Sequence, residues 1–403
     1  MSRRTGRVRS SWKTYLSVSV TEKGTGQYCS STDRFFKAQN ALLDNTRLDP
    51  VLIDHVFSTT TLNADQGLLH LRREFARQGL TRKLTARIVW ELVAHVTMLL
   101  GGSLLFLAVP GMGAKILGAL LAALGCVGIA SNTHTSSHFA TGRQPAFNRF
   151  LTYFGYAFCL GFPAVFWWAD HVKGHHAGPN VVGIDDDFDF LPLFAIDAPE
   201  VARATGLRKF YYERCQWVVL LLAVPLMSFN LQRRGFSYLI GEGRTGPGGK
   251  RPIPDILGMC LHALVFVVLP CFFFPISTVL ALYACRMLLF SVGLFIILIP
   301  GHFPADAPLI TAERAAELGN VTTQTLCTVN YDGGPVVRWF SSGLGYQIEH
   351  HLFPEISHPH YPKIAPLVEA YCRKYGLSYR SYPLGQALIE SIAVFRTPKP
   401  VEG

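Results

Sequence analysis

Apolar residues in this chain are bunched into long runs instead of being spread over one face of short helices. Charge-poor stretches occupy 88–110, 112–130, 147–169, 216–231, 255–274 and 277–300. Several reach the ~20 residues a helix needs to cross a bilayer's hydrocarbon core. The first two meet at Pro110-Gly111-Met112-Gly113 and the last two at Pro275, so the pattern predicts two helical hairpins. Lys83 and Arg87 flank the first hairpin and the basic stretch Arg233 to Arg251 precedes the second, while neither turn carries a cluster of Lys or Arg. The positive-inside rule then places the amino terminus, the middle of the chain and the carboxyl terminus together in the cytosol.

The runs at 147–169 and 216–231 raise a question of parity. If either crossed the membrane alone, polar segments before and after it would face opposite sides. Both are therefore read as amphipathic or re-entrant helices at the interface, 147–169 being rich in Phe, Tyr and Trp. The expected fold is an all-α integral membrane protein with four transmembrane helices in two hairpins, interfacial helices and a cytosolic helical cap. Three regions follow: a basic, partly disordered stretch over 1–80, a membrane domain over 81–395 and a tail over 396–403.

Composition supports the membrane reading. The chain is 49% hydrophobic with 28 Phe and only 16% charged, against about 25% charged in soluble domains. Residues 1–80 are polar and basic (Arg3, Arg4, Arg7, Arg9, Lys13) and lack the apolar core of a signal peptide, so a cytosolic tail is expected there. The net charge of +10 lacks any basic–aromatic pattern for nucleic acid. It reads as cytosolic loops facing anionic headgroups. Nine cysteines are scattered without a C-x-x-C pair, which disfavours cysteine-ligated metal.

The histidines are placed in a way composition does not explain. His134-Thr-Ser-Ser-His138 follows the first hairpin; His171-Val-Lys-Gly-His175-His176 repeats the spacing and adds a doublet. Gln347-Ile-Glu-His350-His351 lies far downstream, and His302 sits at the end of the last run. On a helix, residues four apart share a face, so two imidazoles can reach one ion or two neighbouring ions. Chance would give H-x-x-x-H-H roughly 0.02 times in a chain of this composition. His55, His70, His95, His262, His358 and His360 fall outside these groups and read as satisfied core or interface residues. Eight imidazoles are too many for one tetrahedral zinc. H-E-x-x-H is absent, and the E-x-x-H of carboxylate-bridged di-iron bundles occurs once, at Glu355 to His358. Nitrogen-rich ligation with open positions suits iron that binds dioxygen, and two irons fit the count.

The order H-x-x-x-H, H-x-x-x-H-H, Q-x-x-H-H resembles the membrane fatty acid desaturase superfamily, and Gln347 at the head of the third box resembles its front-end branch. Trp339-Phe340, Leu352-Phe353-Pro354, Tyr361-x-Lys-Ile-Ala-Pro366 and Tyr375-Gly376-x-x-Tyr379 agree, and the likeness covers about residues 85–395. The resemblance implies ligands at His134, His138, His171, His175, His176, His302, His350 and His351, with Gln347 as a ninth ligand or an orienting group. It implies two Fe ions, O2 as co-substrate, and a fatty acyl chain carried by a lipid, CoA or a carrier protein. Many front-end enzymes carry a fused cytochrome b5 domain with His-Pro-Gly-Gly. That motif does not occur, so electrons are expected from a separate ferredoxin- or cytochrome b5-type protein. One branch has an Asn four residues before the lone histidine; Leu298 stands there in this chain. The expected site is integral to the plasma membrane in a prokaryote, or to the endoplasmic reticulum in a eukaryote, on the cytosolic face.

Rival readings are a membrane di-iron hydroxylase and, more remotely, a membrane prenyltransferase using the aspartates within Asp185–Asp189. The latter needs a second aspartate-rich motif that the chain lacks, and these aspartates read better as supports for the second histidine box. Gly241-Glu-Gly243-Arg-Thr-Gly246 matches G-x-G-x-x-G but leads into Pro and Gly instead of a helix, so it reads as a loop. Arg286, inside the last run, reads as a residue that snorkels or pairs internally.

Overall fold

A computed structural model describes residues 63–188, 190–241 and 252–403. Helix α1 (Ala64–Arg77) opens on a capping box, in which Asn63 accepts from the Gln66 amide at 2.9 Å and Gln66 accepts from the Asn63 amide at 3.2 Å. Helices α2 (Thr85–Ala108) and α3 (Met112–Ser137) form the first hairpin, with Gly111 at φ 97° in its turn. Their backbones approach closely because small residues line the seam: a Cβ on Gly118 would lie 2.6 Å from the Phe106 amide nitrogen, and one on Gly125 2.5 Å from that of Leu99.

The 147–169 run does not form one straight helix. It belongs to α4 (Pro145–Cys159) and α5 (Ala164–Ala177), which meet at 117°. Gly161 (φ 72°) sits in the bend, where a Cβ would also meet the His262 ring at 2.8 Å. The 216–231 run lies inside α6 (Gly206–Ile240), followed by the second hairpin of α7 (Ile253–Phe272) and α8 (Ile276–Gly301). Four spans were expected. Among the described residues, five helices (α2, α3, α6, α7 and α8) are long and apolar enough to cross a membrane, with the bent α4–α5 pair as a sixth candidate. The extra helix arises because the polar ends of α6, Arg208 and Lys209 on one side and Arg233 and Arg234 on the other, continue the helix that the apolar run begins.

Lipid-type surface is plentiful on these helices: Leu104, Ile116, Leu222, Leu257, Phe272 and Ile276 are all exposed. Their inner faces pack Leu99, Ile129, Tyr156, Leu160, Phe290 and Leu294 into one core. Arg286 is buried in α8, its guanidinium 4.9 Å from the centre of the Phe266 ring and 4.7 Å from that of Tyr283.

The remainder forms a polar-faced cap: α9 (Ala312–Leu318), α10 (Asn320–Leu326), α11 (Gly334–Phe340), α12 (Gln347–Leu352), α13 (Tyr361–Tyr375) and α14 (Leu384–Ala393). Helix α1 packs here, burying Leu71 and Phe75 against Phe353, Ile364 and Val368. The fold is not wholly helical. Strands β1 (Leu309–Ile310) and β4 (Val401–Glu402) pair in parallel, as do β2 (Asn330–Asp332) and β3 (Ser381–Pro383). Through β4 and a buried Lys399, whose Nζ donates to the Ala307 carbonyl at 2.5 Å, the last residues are tied to the segment following His302.

Candidate metal centre

Four separate segments bring histidines to one place. The last turn of α3 carries His134, and His138 caps it. The second box is not on a regular α-helix: wide-turn backbone over Trp168–Val172 gives way to a tight turn over His175–Ala177. As a result the His171 and His175 rings stack at 5.1 Å and 18°, while His176 turns away at 85° to His175. His302 follows α8 directly, and α12 presents His350 and His351.

These imidazoles divide into two groups. His134, His138, His171, His176 and His350 place one nitrogen each within 4.8 Å of all the others, and His175, His302 and His351 do the same. His134 Nε2 stands 2.8 Å from His171 Nε2, and His350 Nε2 stands 3.0 Å from His176 Nε2. Two ligands bound at right angles at 2.0–2.1 Å from one ion would stand about 3 Å apart, so these spacings fit neighbouring donors on one ion. Buried His138 Nε2 and His351 Nε2 have no hydrogen-bond partner among the described residues. A donor set of imidazoles with lone pairs aimed into a shared space fits a nitrogen-ligated metal.

Electrostatics keep the imidazoles other than His175 in their metal-binding form; burial opposes charge on His175, but Asp185 outweighs it and holds that ring above the usual histidine range. Burial, reinforced by neighbouring imidazoles, holds His350 and His351 well below the usual histidine range. Burial and His175 push His138 down to about 3. A neutral ring offers a lone pair; an imidazolium does not.

The far nitrogens are oriented from behind. His175 Nδ1 lies 2.8 Å from Asp185 Oδ2, which also accepts from the Asn180 amide at 2.9 Å. Burial opposes ionisation of Asp185, but His175 and these hydrogen bonds win and hold its carboxyl below the usual range. His351 Nδ1 donates to Gln324 Oε1 (2.8 Å), and Gln324 Nε2 donates to the His176 carbonyl (2.9 Å). His350 Nδ1 lies 3.1 Å from the Tyr361 hydroxyl. Such partners fix tautomer and ring orientation in metal sites. Asp185 is thus turned toward an imidazole and not out to a diphosphate; Asp189 lies outside the described residues. Gln347 is buried, packs on Gly301 and hydrogen-bonds to His302, which places it beside the three-histidine group. Gln324 carries no motif and could not have been picked out from the sequence.

The histidines set aside on sequence grounds do not join either group. His70 is exposed, His95 packs on Trp339, His262 contacts the Phe158 carbonyl and Tyr283, and His360 contacts the Arg82 carbonyl. His358 is buried between Thr135 and Glu91. His55 and all but the first residue of Gly241–Gly246 lie outside the described residues.

Beside His134 is a small apolar cavity of about 20 Å³, lined by Ala130, Tyr156, Phe162, Trp167, Leu294 and Leu298 among others. Its polar border is His134 and Ser131. Trp167 forms part of its wall and stacks on His171 at 4.3 Å.

Apolar helices of membrane-spanning length, adjoining two neighbouring histidine groups that could hold metal, define a membrane-type protein with a candidate metal centre. The chain belongs to the fatty acid desaturase family, whose model matches residues 113–383. It is 27% identical over 305 residues to fatty acid desaturase 3 of Bos taurus, covering 75% of this chain and 66% of that protein. It is 25% identical over 345 residues to Delta(8)-fatty-acid desaturase 1 of Arabidopsis thaliana, covering 80% and 72%. Against the acyl-lipid (8-3)-desaturase of Physcomitrium patens it is 32% identical over 238 residues, covering 56% and 48%. The chain spans just under two thirds of the bovine relative's length.

Proposed function

We propose that this protein is an oxygen-dependent fatty acyl desaturase with two irons, one held by His134, His138, His171, His176 and His350 and the other by His175, His302 and His351. The observation that carries this is the five-and-three division of eight imidazoles, seven buried and His176 half-buried, beside an apolar cavity. When bound, the irons would supply the dioxygen redox chemistry that side chains lack. Overall, CH2–CH2, O2, two electrons and two protons become CH=CH and two waters, the electrons entering from a separate ferredoxin- or cytochrome b5-type donor.

The chain's own residues supply geometry. In this reading the apolar walls beside His134 open to admit an alkyl chain, and Trp167, stacked on His171, limits its lateral movement. Asp185, Gln324 and Tyr361 keep the imidazoles turned inward. Gln347 supports His302 in this reading and is not a ninth ligand.

Parity supports four crossings. All eight histidines meet at one place, so the chain between His176 and His302 crosses an even number of times. With α7 and α8 crossing as a hairpin, α6 lies along the interface, and α4–α5 enters and returns. The positive flanks make the histidine face cytosolic.

Expression in a host lacking the activity, followed by lipid mass spectrometry with double-bond localisation, tests the reading. New unsaturated chains that vanish in a His350→Ala variant are expected. Alcohols in their place would make the protein a hydroxylase, and an unchanged lipid profile would count against both.

A further inference from the structure

His358 belongs to no histidine box, yet it connects three parts of the structure. It is buried at 6% exposure, seven residues after His351. Its Nδ1 lies 2.8 Å from Thr135 Oγ1 and its Nε2 lies 2.8 Å from Glu91 Oε2. The Glu91 carboxylate only accepts, so Nε2 donates to it, while Nδ1 pairs with the Thr135 hydroxyl. Glu91 is anchored in turn by Arg87 Nε at 3.1 Å, one turn back along α2. Thr135 lies between His134 and His138 on the same turn of α3. Three residues beyond His358, Tyr361 meets His350 Nδ1 at 3.1 Å.

The short segment His358–Tyr361 therefore touches the supports of three histidines, His134, His138 and His350. All three belong to the five-histidine group. His175 and His351 are supported instead by Asp185 and Gln324, and Gln347 hydrogen-bonds to His302. A half-buried ionic residue in an apolar helix is costly unless paired, and here the pairing runs through His358 to the turn bearing the first histidine pair.

We propose that Glu91, His358 and Thr135 form a positioning strap that sets the turn of α3 carrying His134 and His138, and so tunes the five-histidine site without touching the other. None of the three is a ligand. Their role is to hold two imidazoles in register with His350 from the opposite segment. This inference rests on the two-iron reading above and goes beyond it by separating the two ions.

The test uses the full chain in lipid nanodiscs, loaded with 57Fe, with iron content and Mössbauer spectra recorded first on the unaltered protein. Thr135→Val removes the hydroxyl at nearly constant volume; Thr135→Ser restores it. The expected result is that Thr135→Val retains a folded, monodisperse protein but alters the spectral component of one ion and leaves the other unchanged. Product formed per dioxygen consumed falls at least ~10-fold, while Thr135→Ser stays within about twofold of the unaltered protein. Glu91→Leu reproduces the valine spectrum, and Glu91→Gln, which keeps an acceptor for Nε2, does not. Unchanged spectra and coupling in Thr135→Val would overturn the strap while leaving the two-iron reading intact. An unaltered protein that takes up no iron would overturn the two-iron reading and the strap with it.

Discussion

Asp185 shows how a single side chain sorts between two chemistries. In sequence it belongs to an aspartate-rich run; in the fold it accepts from His175 and the Asn180 amide and is closed off from solvent. Asp185→Asn should therefore weaken metal retention ~10–100-fold, measured by competition with a chelator, with loss confined to one of two ions. Retention equal to that of the unaltered protein would remove Asp185 from the site. Glu349 offers a pH test. Burial pushes its carboxyl up to about 7, against hydrogen bonds from Tyr379 (2.8 Å) and Asn330 (2.8 Å). Its folded value is raised, so the folded state holds the extra proton. Its contribution is full below about pH 4.5, is lost as pH rises to about 7, and is then flat, a span of about 3 kcal/mol. Metal-free protein should thus lose stability over that window, and Glu349→Gln should flatten the loss; parallel profiles would exclude Glu349 as its source. Seven of the histidines that gather here stood out in sequence by their spacing, and His302 by its place at the end of the last apolar run. Gln324 and Tyr361 were not legible as partners, because a supporting hydrogen bond across the fold leaves no local pattern.

The elements carry the site through departures from regular helix. The expected helical geometry of H-x-x-x-H describes the first box, but the second sits on a widened turn that stacks His171 on His175 and lets His171 and His176 share one group while His175 joins the other. Spacing predicts proximity; it does not predict such a turn, which depends on the bend at Gly161 and on Trp167 and Trp168 both donating to Ser137 of α3 at 3.1 Å. The cavity is likewise an inter-element feature. Ala130 lines it on α3, so Ala130→Phe should fill it, lowering product formation at least ~10-fold while both irons remain bound. If activity with long acyl chains survived that change, the substrate path would lie elsewhere. In the first hairpin, Gly125→Leu should reduce the folded yield, since its Cβ alone would meet the Leu99 backbone at 2.5 Å.

At the scale of the whole molecule the open variable is how α6 meets the bilayer. Length and composition admit it as a crossing, whereas the meeting of all eight histidines argues that it lies along the interface. Leu207 and Ile253, at 88% and 55% exposure, bracket α6. Cysteines placed there, in a chain without reactive native thiols, should be labelled by an impermeant reagent from the same side. Labelling from opposite sides would break the parity argument and the four-span topology with it. The paired apolar helices α2–α3 and α7–α8 were readable from apolar runs and turn residues, because bilayer thickness fixes the length of a span. The pairing of β1 with β4 was not, since two-residue strands carry no period. The central claim is two irons that couple dioxygen to desaturation of an acyl chain. It is met most directly by supplying the purified, iron-loaded protein with a reductant, its electron donor and an acyl substrate, and measuring double bonds formed against dioxygen consumed. Two irons per chain and close to one double bond per dioxygen, both lost in His350→Ala, are expected. Dioxygen uptake independent of substrate, or double bonds formed by chains holding no iron, would contradict it.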